Sequence, residues 1–221
     1  MRACRNATLT AGILAVSALC ALPVRPAAAQ ALWRPPEDLF REGPDSFPRG
    51  ILLSHFKLGP VAVTLYETPF REVQRAFPGS AVGEAGDADY VAWLCYVFGT
   101  GSQRSMVWLE SGESGGRDGP IMGFTLLRIS STAQVDARCA RFPGSGDALR
   151  LPLPIALGAS RSQIVRVFGP PYEEHGDTLL YFRETELPER PIELRTVDTF
   201  LSILLRGGAV VRIDAWEFSM D

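Results

Sequence analysis

The chain has 221 residues and a formal net charge of −3, which allows one large domain or two small ones. Hydrophobic residues make up 46% and charged residues 21%, a balance that excludes a disordered chain and permits a buried core. The mild acidity excludes a polyanion such as nucleic acid as the expected partner.

Arg2 and Arg5 form a positive start, Ala7 to Leu22 is apolar and uncharged, and Ala27-Ala28-Ala29 offers small residues for cleavage before Gln30. This pattern predicts a secretory signal peptide over residues 1–29. Pro23 and Arg25 interrupt the run before the roughly 20 apolar residues a retained anchor needs. Leu19, where a lipoprotein signal wants a small residue, argues against lipidation at Cys20. Cleavage would leave 19 basic against 25 acidic side chains, a net charge of −6. Later apolar runs are all broken by Pro, Gly or charge, so no membrane-spanning segment is expected in the mature chain. Cys95 and Cys139 would then be the remaining cysteines, and an oxidising compartment predicts a disulfide between them.

Residues 30–57 form a Pro-rich lead-in, with Pro35, Pro36, Pro44 and Pro48 set among charges. A first unit is expected over 58–141. Val61, Val63 and Leu65 alternate as in a short strand, and Thr68 and Pro69 open a helix that buries Phe70, Val73 and Phe77 and stops at Pro78-Gly79. Strands follow at Tyr90 to Phe98, Ser105 to Glu110 and Ile121 to Ile129, separated by Gly-rich links that favour antiparallel pairing. Residues 142–152 read as a linker. A second unit over 153–221 repeats the order: Ser160 caps a helix carrying Ile164, Val165 and Phe168, Gly169-Pro170-Pro171 ends it, and strands run Thr178 to Arg183, Thr199 to Arg206 and Ala209 to Phe218.

Corresponding positions keep register: Phe77 and Phe168 are 91 residues apart, and Tyr90 with Leu179 and Ile121 with Val210 are each 89 apart. That regularity predicts an internal repeat. The expected fold class is α+β, with duplicated units of one helix and a three-stranded antiparallel sheet, helices on one sheet face. A single unit is too small to bury both faces, so the copies are expected to pack or to share one curved sheet.

The second copy reads Leu157-Gly158-Ala159-Ser160, Ile164 through Phe168-Gly169-Pro170, Asp177 to Tyr181, then Leu201 and Ile203 to Gly208 and Val210. It resembles the module of the SmpA/OmlA-like (BamE-like) outer-membrane-assembly lipoproteins, and the tandem arrangement resembles that of the β-lactamase-inhibitor protein. The first copy departs, with Tyr66-Glu67 near where Gly158 would fall and Phe77-Pro78-Gly79 in place of Phe168-Gly169-Pro170. The resemblance implies an envelope-assembly or enzyme-inhibitor role.

Catalytic patterns are weak. Gly112-Glu113-Ser114-Gly115-Gly116, preceded by His55 and by Asp87 or Asp89, has the order of a serine-protease triad. Its flanks do not match that family, and a strand rather than a helix follows Ser114, so it reads as a hairpin loop. His55 and His175 have no helical i, i+4 partners and no EF-hand-like acid cluster occurs, so no metal and no cofactor is expected. Glu173-Glu174-His175-Gly176-Asp177 reads as a polar turn.

Strand parity directs attention to aromatics. It places Val91, Trp93, Cys95 and Val97 beneath a helix, with Tyr90 and Tyr96 opposite. Val107 and Leu109 fall inside with Trp108 opposite, Leu180 and Phe182 inside with Tyr181 opposite, and Val211, Ile213 and Ala215 inside with Arg212, Asp214 and Trp216 opposite. Tyr90, Tyr96, Trp108, Tyr181, Arg212 and Trp216 would thus share a face with the composition of an interface hot spot, unless they pack against the lead-in or each other. The function expected is that of an exported, periplasmic or secreted, non-enzymatic protein-binding module. A small-ligand-binding periplasmic protein and a serine hydrolase using Ser114 are the alternatives.

Overall fold

A computed structural model describes residues 31–36, 53–86, 91–112, 116–143, 149–190 and 193–220. The predicted signal peptide, most of the lead-in, and Asp87, Asp89, Tyr90 and Ser114 lie outside the described residues. In chain order the elements are β1 (His55–Leu58), β2 (Val61–Thr64), α1 (Phe70–Ala76), β3 (Gly83–Ala85), β4 (Val91–Phe98), β5 (Ser105–Ser111), β6 (Gly123–Arg128), β7 (Ala140–Arg141), β8 (Leu149–Arg150), α2 (Arg161–Phe168), β9 (Glu173–His175), β10 (Thr178–Arg190), β11 (Glu193–Arg206) and β12 (Ala209–Met220).

Local signals are honoured where they are strong. Ser160 caps α2 with a reciprocal box: its Oγ accepts from the Gln163 N–H at 3.3 Å, and Gln163 Oε1 accepts from the Ser160 N–H at 2.8 Å. Gly169, at φ 85°, ends the helix in a conformation a side chain would strain. At α1 the expected Thr68 cap is displaced. Pro69 is the cap residue and supplies no side-chain bond, while Thr68 Oγ1 accepts from the Thr64 N–H at 2.8 Å and closes the preceding turn instead.

The expected class of duplicated helix-plus-three-stranded-sheet units is overturned. The chain is mostly β, with two short helices among the described residues and one nine-stranded sheet in the order β3-β4-β5-β6-β12-β11-β10-β9, β7 adding to β4. The joint is the antiparallel pairing of β6 with β12, from Leu127 opposite Arg212 to Gly123 opposite Trp216. Two three-stranded sheets would each leave an edge of unpaired N–H and C=O groups at this position, and pairing β6 with β12 satisfies both. Strands β10, β11 and β12, of 13, 14 and 12 residues, are also far longer than β4 to β6.

One face of this sheet carries both helices and the small sheet β2-β1-β8. Phe70, Val73 and Phe77 of α1, Ile164 and Phe168 of α2, and Phe56 and Leu58 of β1 close over Leu94, Tyr96, Val107, Leu109, Phe124, Leu201, Ile203 and Ile213. The opposite face has its own cluster, in which Trp93, Cys95, Val97, Met106 and Trp108 pack with Leu32, Trp33, Ala133 and Val135. Cys95 and Cys139 are joined by a disulfide, with Cα atoms 4.8 Å apart. No described helix is long and apolar enough to cross a membrane.

Candidate functional site

The face opposite the helices is built from cross-strand rungs, because directly opposed residues of antiparallel strands project to the same side. One rung runs Cys95, Trp108, Thr125, Asp214, Ser202. The next runs Trp93, Glu110, Gly123, Trp216, Phe200, Phe182. Apolar packing dominates at the β4–β5 end and polar groups at the centre.

Trp216 lies across β6 because Gly123 has no side chain: a Cβ there would stand 2.5 Å from the indole. The ring is half-buried. Its Nε1, like Ser202 Oγ, has no hydrogen-bond partner among the described residues. Beside it, Asp214 Oδ1 accepts from Arg212 Nε at 2.7 Å and from Thr125 Oγ1 at 2.8 Å, and Glu110 Oε1 lies 3.3 Å from the same threonine oxygen. A hydroxyl has one proton to give, and the shorter contact assigns it to Asp214. Burying these charges is tolerable because Arg212 and Asp214 answer each other directly.

Asp198, 3% exposed, sits on the same face opposite Glu184. Burial raises its carboxyl above the ordinary aspartate range, and the Glu184 charge raises it further. An acid raised in the folded state holds its proton longer there than in the unfolded chain. Folding stability is therefore highest below the unfolded-state pKa and falls as pH climbs through the folded one. Asp198→Asn should stabilise the protein at neutral pH and flatten the stability profile above the usual carboxylate range, measured by urea unfolding across pH. An unchanged profile would mean that Asp198 is not the titrating group.

Of the six residues expected to share this face, the structure brings together Trp108, Arg212 and Trp216; Tyr90 lies outside the described residues. Trp108 is fully buried, its Nε1 donating to the Trp33 carbonyl at 3.0 Å, so packing against the lead-in is the outcome for this ring. Arg212 is buried as well. Tyr96 and Tyr181 are on the helix side, which corrects the parity assigned to β4 and β10. Tyr96 donates its hydroxyl hydrogen to Phe77 O at 3.0 Å, and burial pushes its pKa well up. Tyr181 packs against Phe168 with the rings tilted by 44° and centroids 5.2 Å apart, and donates to Gly169 O at 3.3 Å. Burial lifts it to about 12, with smaller opposing contributions from Arg161, which lowers it, and Glu174, which raises it.

Comparison with known proteins finds no matching family model, curated protein or solved structure. The site must therefore be read from its own residues.

Sequence reasoning missed Trp33. Its ring packs on Trp93 at 5.7 Å between centroids, and the Arg138 guanidinium stands 4.2 Å from its ring centroid. Arg138 is itself aimed by Asp136, whose carboxyl its hydrogen bonds hold down at about 2. A tryptophan next to Pro35-Pro36 was the available signal. Among the triad candidates, His55 is exposed at the start of β1. His175 is exposed too, 3.0 Å from Glu173. Among the described residues no three His, Cys, Asp or Glu side chains converge on a point that could hold a metal ion.

Proposed function

We propose that this chain is an exported, non-enzymatic protein-binding module whose partner docks by a basic segment on the helix-free face around Trp216. The observation that carries the reading is the half-buried Trp216 indole, set on a face where the buried Glu110, Asp198 and Asp214 outnumber the buried Arg212 and Glu184 is partly exposed. Tryptophan anchors flanked by charge are frequent centres of binding energy. Lysine or arginine on a partner would complement the partly exposed Glu184 and quicken the encounter. The signal-like start and the disulfide support action in an oxidising compartment outside the cytoplasm. A role in envelope assembly or enzyme inhibition rests on the motif resemblance of residues 157–210.

The test is retention of envelope proteins on the immobilised oxidised chain. Trp216→Ala should weaken the specific complex by roughly 30-fold, the effect of a hot spot worth about 2 kcal/mol, while circular dichroism stays native. Equal retention by the variant would remove Trp216 from the interface, and failure of any protein to bind saturably would overturn the reading.

A further inference from the structure

Where the ends of β4, β5 and β6 meet the chain leading into α2, the structure forms a partly open cavity of about 180 Å³. Phe98, Leu126, Leu151 and Ile155 supply apolar walls, and Gln103, Ser105 and Arg128 supply polar ones. Ser105 and Arg128 are a direct cross-strand pair, so their side chains leave the sheet together. Among the described residues no aspartate or glutamate lines this space.

The guanidinium of Arg128 is held by main chain. One Nη donates to Leu157 O at 3.0 Å, and the group passes over Gly158, where a Cβ would make ordinary contact at 3.5 Å. A neutral carbonyl fixes the position of the charge without neutralising it. Arginine has five N–H donors in a planar fork, and no carboxylate pairs with this one among the described residues. A positioned fork with no carboxylate partner among the described residues, set beside hydrocarbon walls, matches a carboxylate joined to an apolar body. The volume lies below the roughly 300–1,000 Å³ of sites for drug-sized molecules, which limits that body to a single small ring or a short chain.

We propose that this cavity is a binding site for a small apolar monocarboxylate, with the carboxylate on Arg128 and Ser105 and the hydrocarbon against Phe98, Leu126, Leu151 and Ile155. The site lies on the helix side of the sheet and is independent of the Trp216 face.

Benzoate titrated into the isotope-labelled, oxidised protein should cause saturable NMR shifts at the Arg128 Nε–H and at the Ser105 and Leu157 amides. Arg128→Gln should weaken binding about tenfold or more, the value of one charge-assisted pair. Ser105→Leu, which fills the cavity and leaves the Arg128 to Leu157 bond in place, should abolish it, so the inference stays testable if the arginine variant misfolds. Benzyl alcohol and sulfate are the controls. An equal response to benzyl alcohol would show that the charge is immaterial, and an equal response to sulfate would show an adventitious ion only. Either result, or no saturable shift with benzoate, overturns the proposal.

Discussion

Reduction of the Cys95–Cys139 bond should lower the unfolding free energy by about 4 kcal/mol, the chain-entropy value for a loop of this length. The two cysteines are 44 positions apart, and their bond links the middle of the buried strand β4 to a segment that has already left the sheet. That segment returns beside β4 as β7, in parallel register with Ala140 opposite Tyr96 and Arg141 opposite Val97. Two residue pairs make a weak ladder, and the disulfide holds them in place. Both half-cystines are buried against Trp93 and Trp108, so reductant should act only after local opening. Urea unfolding of oxidised and reduced protein measures the difference directly, with Cys139→Ser as a reductant-free counterpart. The expected loss is a large part of the ~5–15 kcal/mol by which domains are stable. A change below about 1 kcal/mol would show that strain or residual unfolded structure cancels the loop term.

Trp108→Ala should cost about 3–5 kcal/mol, as deletion of a large buried aromatic does. The ring has no solvent exposure, faces Cys95 across the β4–β5 pair and bonds the Trp33 carbonyl. Truncation therefore opens a cavity and strands a carbonyl in one step. For a chain of this size the melting temperature should fall on the order of 10 °C. Trp108→Phe separates the two effects, keeping much of the volume while losing the indole N–H. The disulfide and Trp108 are in contact, so removing both should cost less or more than the sum, and a double-mutant cycle would give the coupling. A near-neutral Trp108→Ala would mean that residues 32–33 do not cover the ring in solution.

The Cys95–Cys139 pairing is legible in the sequence, but the burial of Trp108 against Trp33 is not, and strand β4 shows why. Every described residue from Ala92 to Phe98 is buried, so Trp93, Cys95 and Val97 look as suited to a helix-covered face as Leu94, Tyr96 and Phe98. Alternation orients a strand only when one face meets water. Strand β12 was readable because Arg212 and Asp214 break the apolar run on one parity. Tyr181 was misplaced for the same reason as Tyr96: an aromatic with a hydroxyl can lie in a core when a main-chain carbonyl, here Gly169 O, accepts its proton. Helix α2 was legible to its cap because Ser160, Gln163 and Gly169 act locally. The β6–β12 seam was not, since it depends on residues 89 apart, such as Thr125 and Asp214, and local pattern says nothing of such partners. The cavity at Arg128 was equally silent, being formed by strand ends and a linker that meet only in the folded chain.

The position of β12 has a consequence for how the molecule assembles. Strand β12, which follows the other described strands in sequence, lies in the interior of the sheet, between β6 and β11. A chain still emerging, or one truncated after Gly208, would present two open edges, a short one on β6 and a long one on β11, each a template for pairing with another molecule. Closing the seam must also wait for contacts of high sequence separation, which makes the final step slow relative to helix or hairpin formation. The vulnerable species is thus a chain in which β12 has not yet paired, and its protection against self-association depends on how quickly that strand inserts.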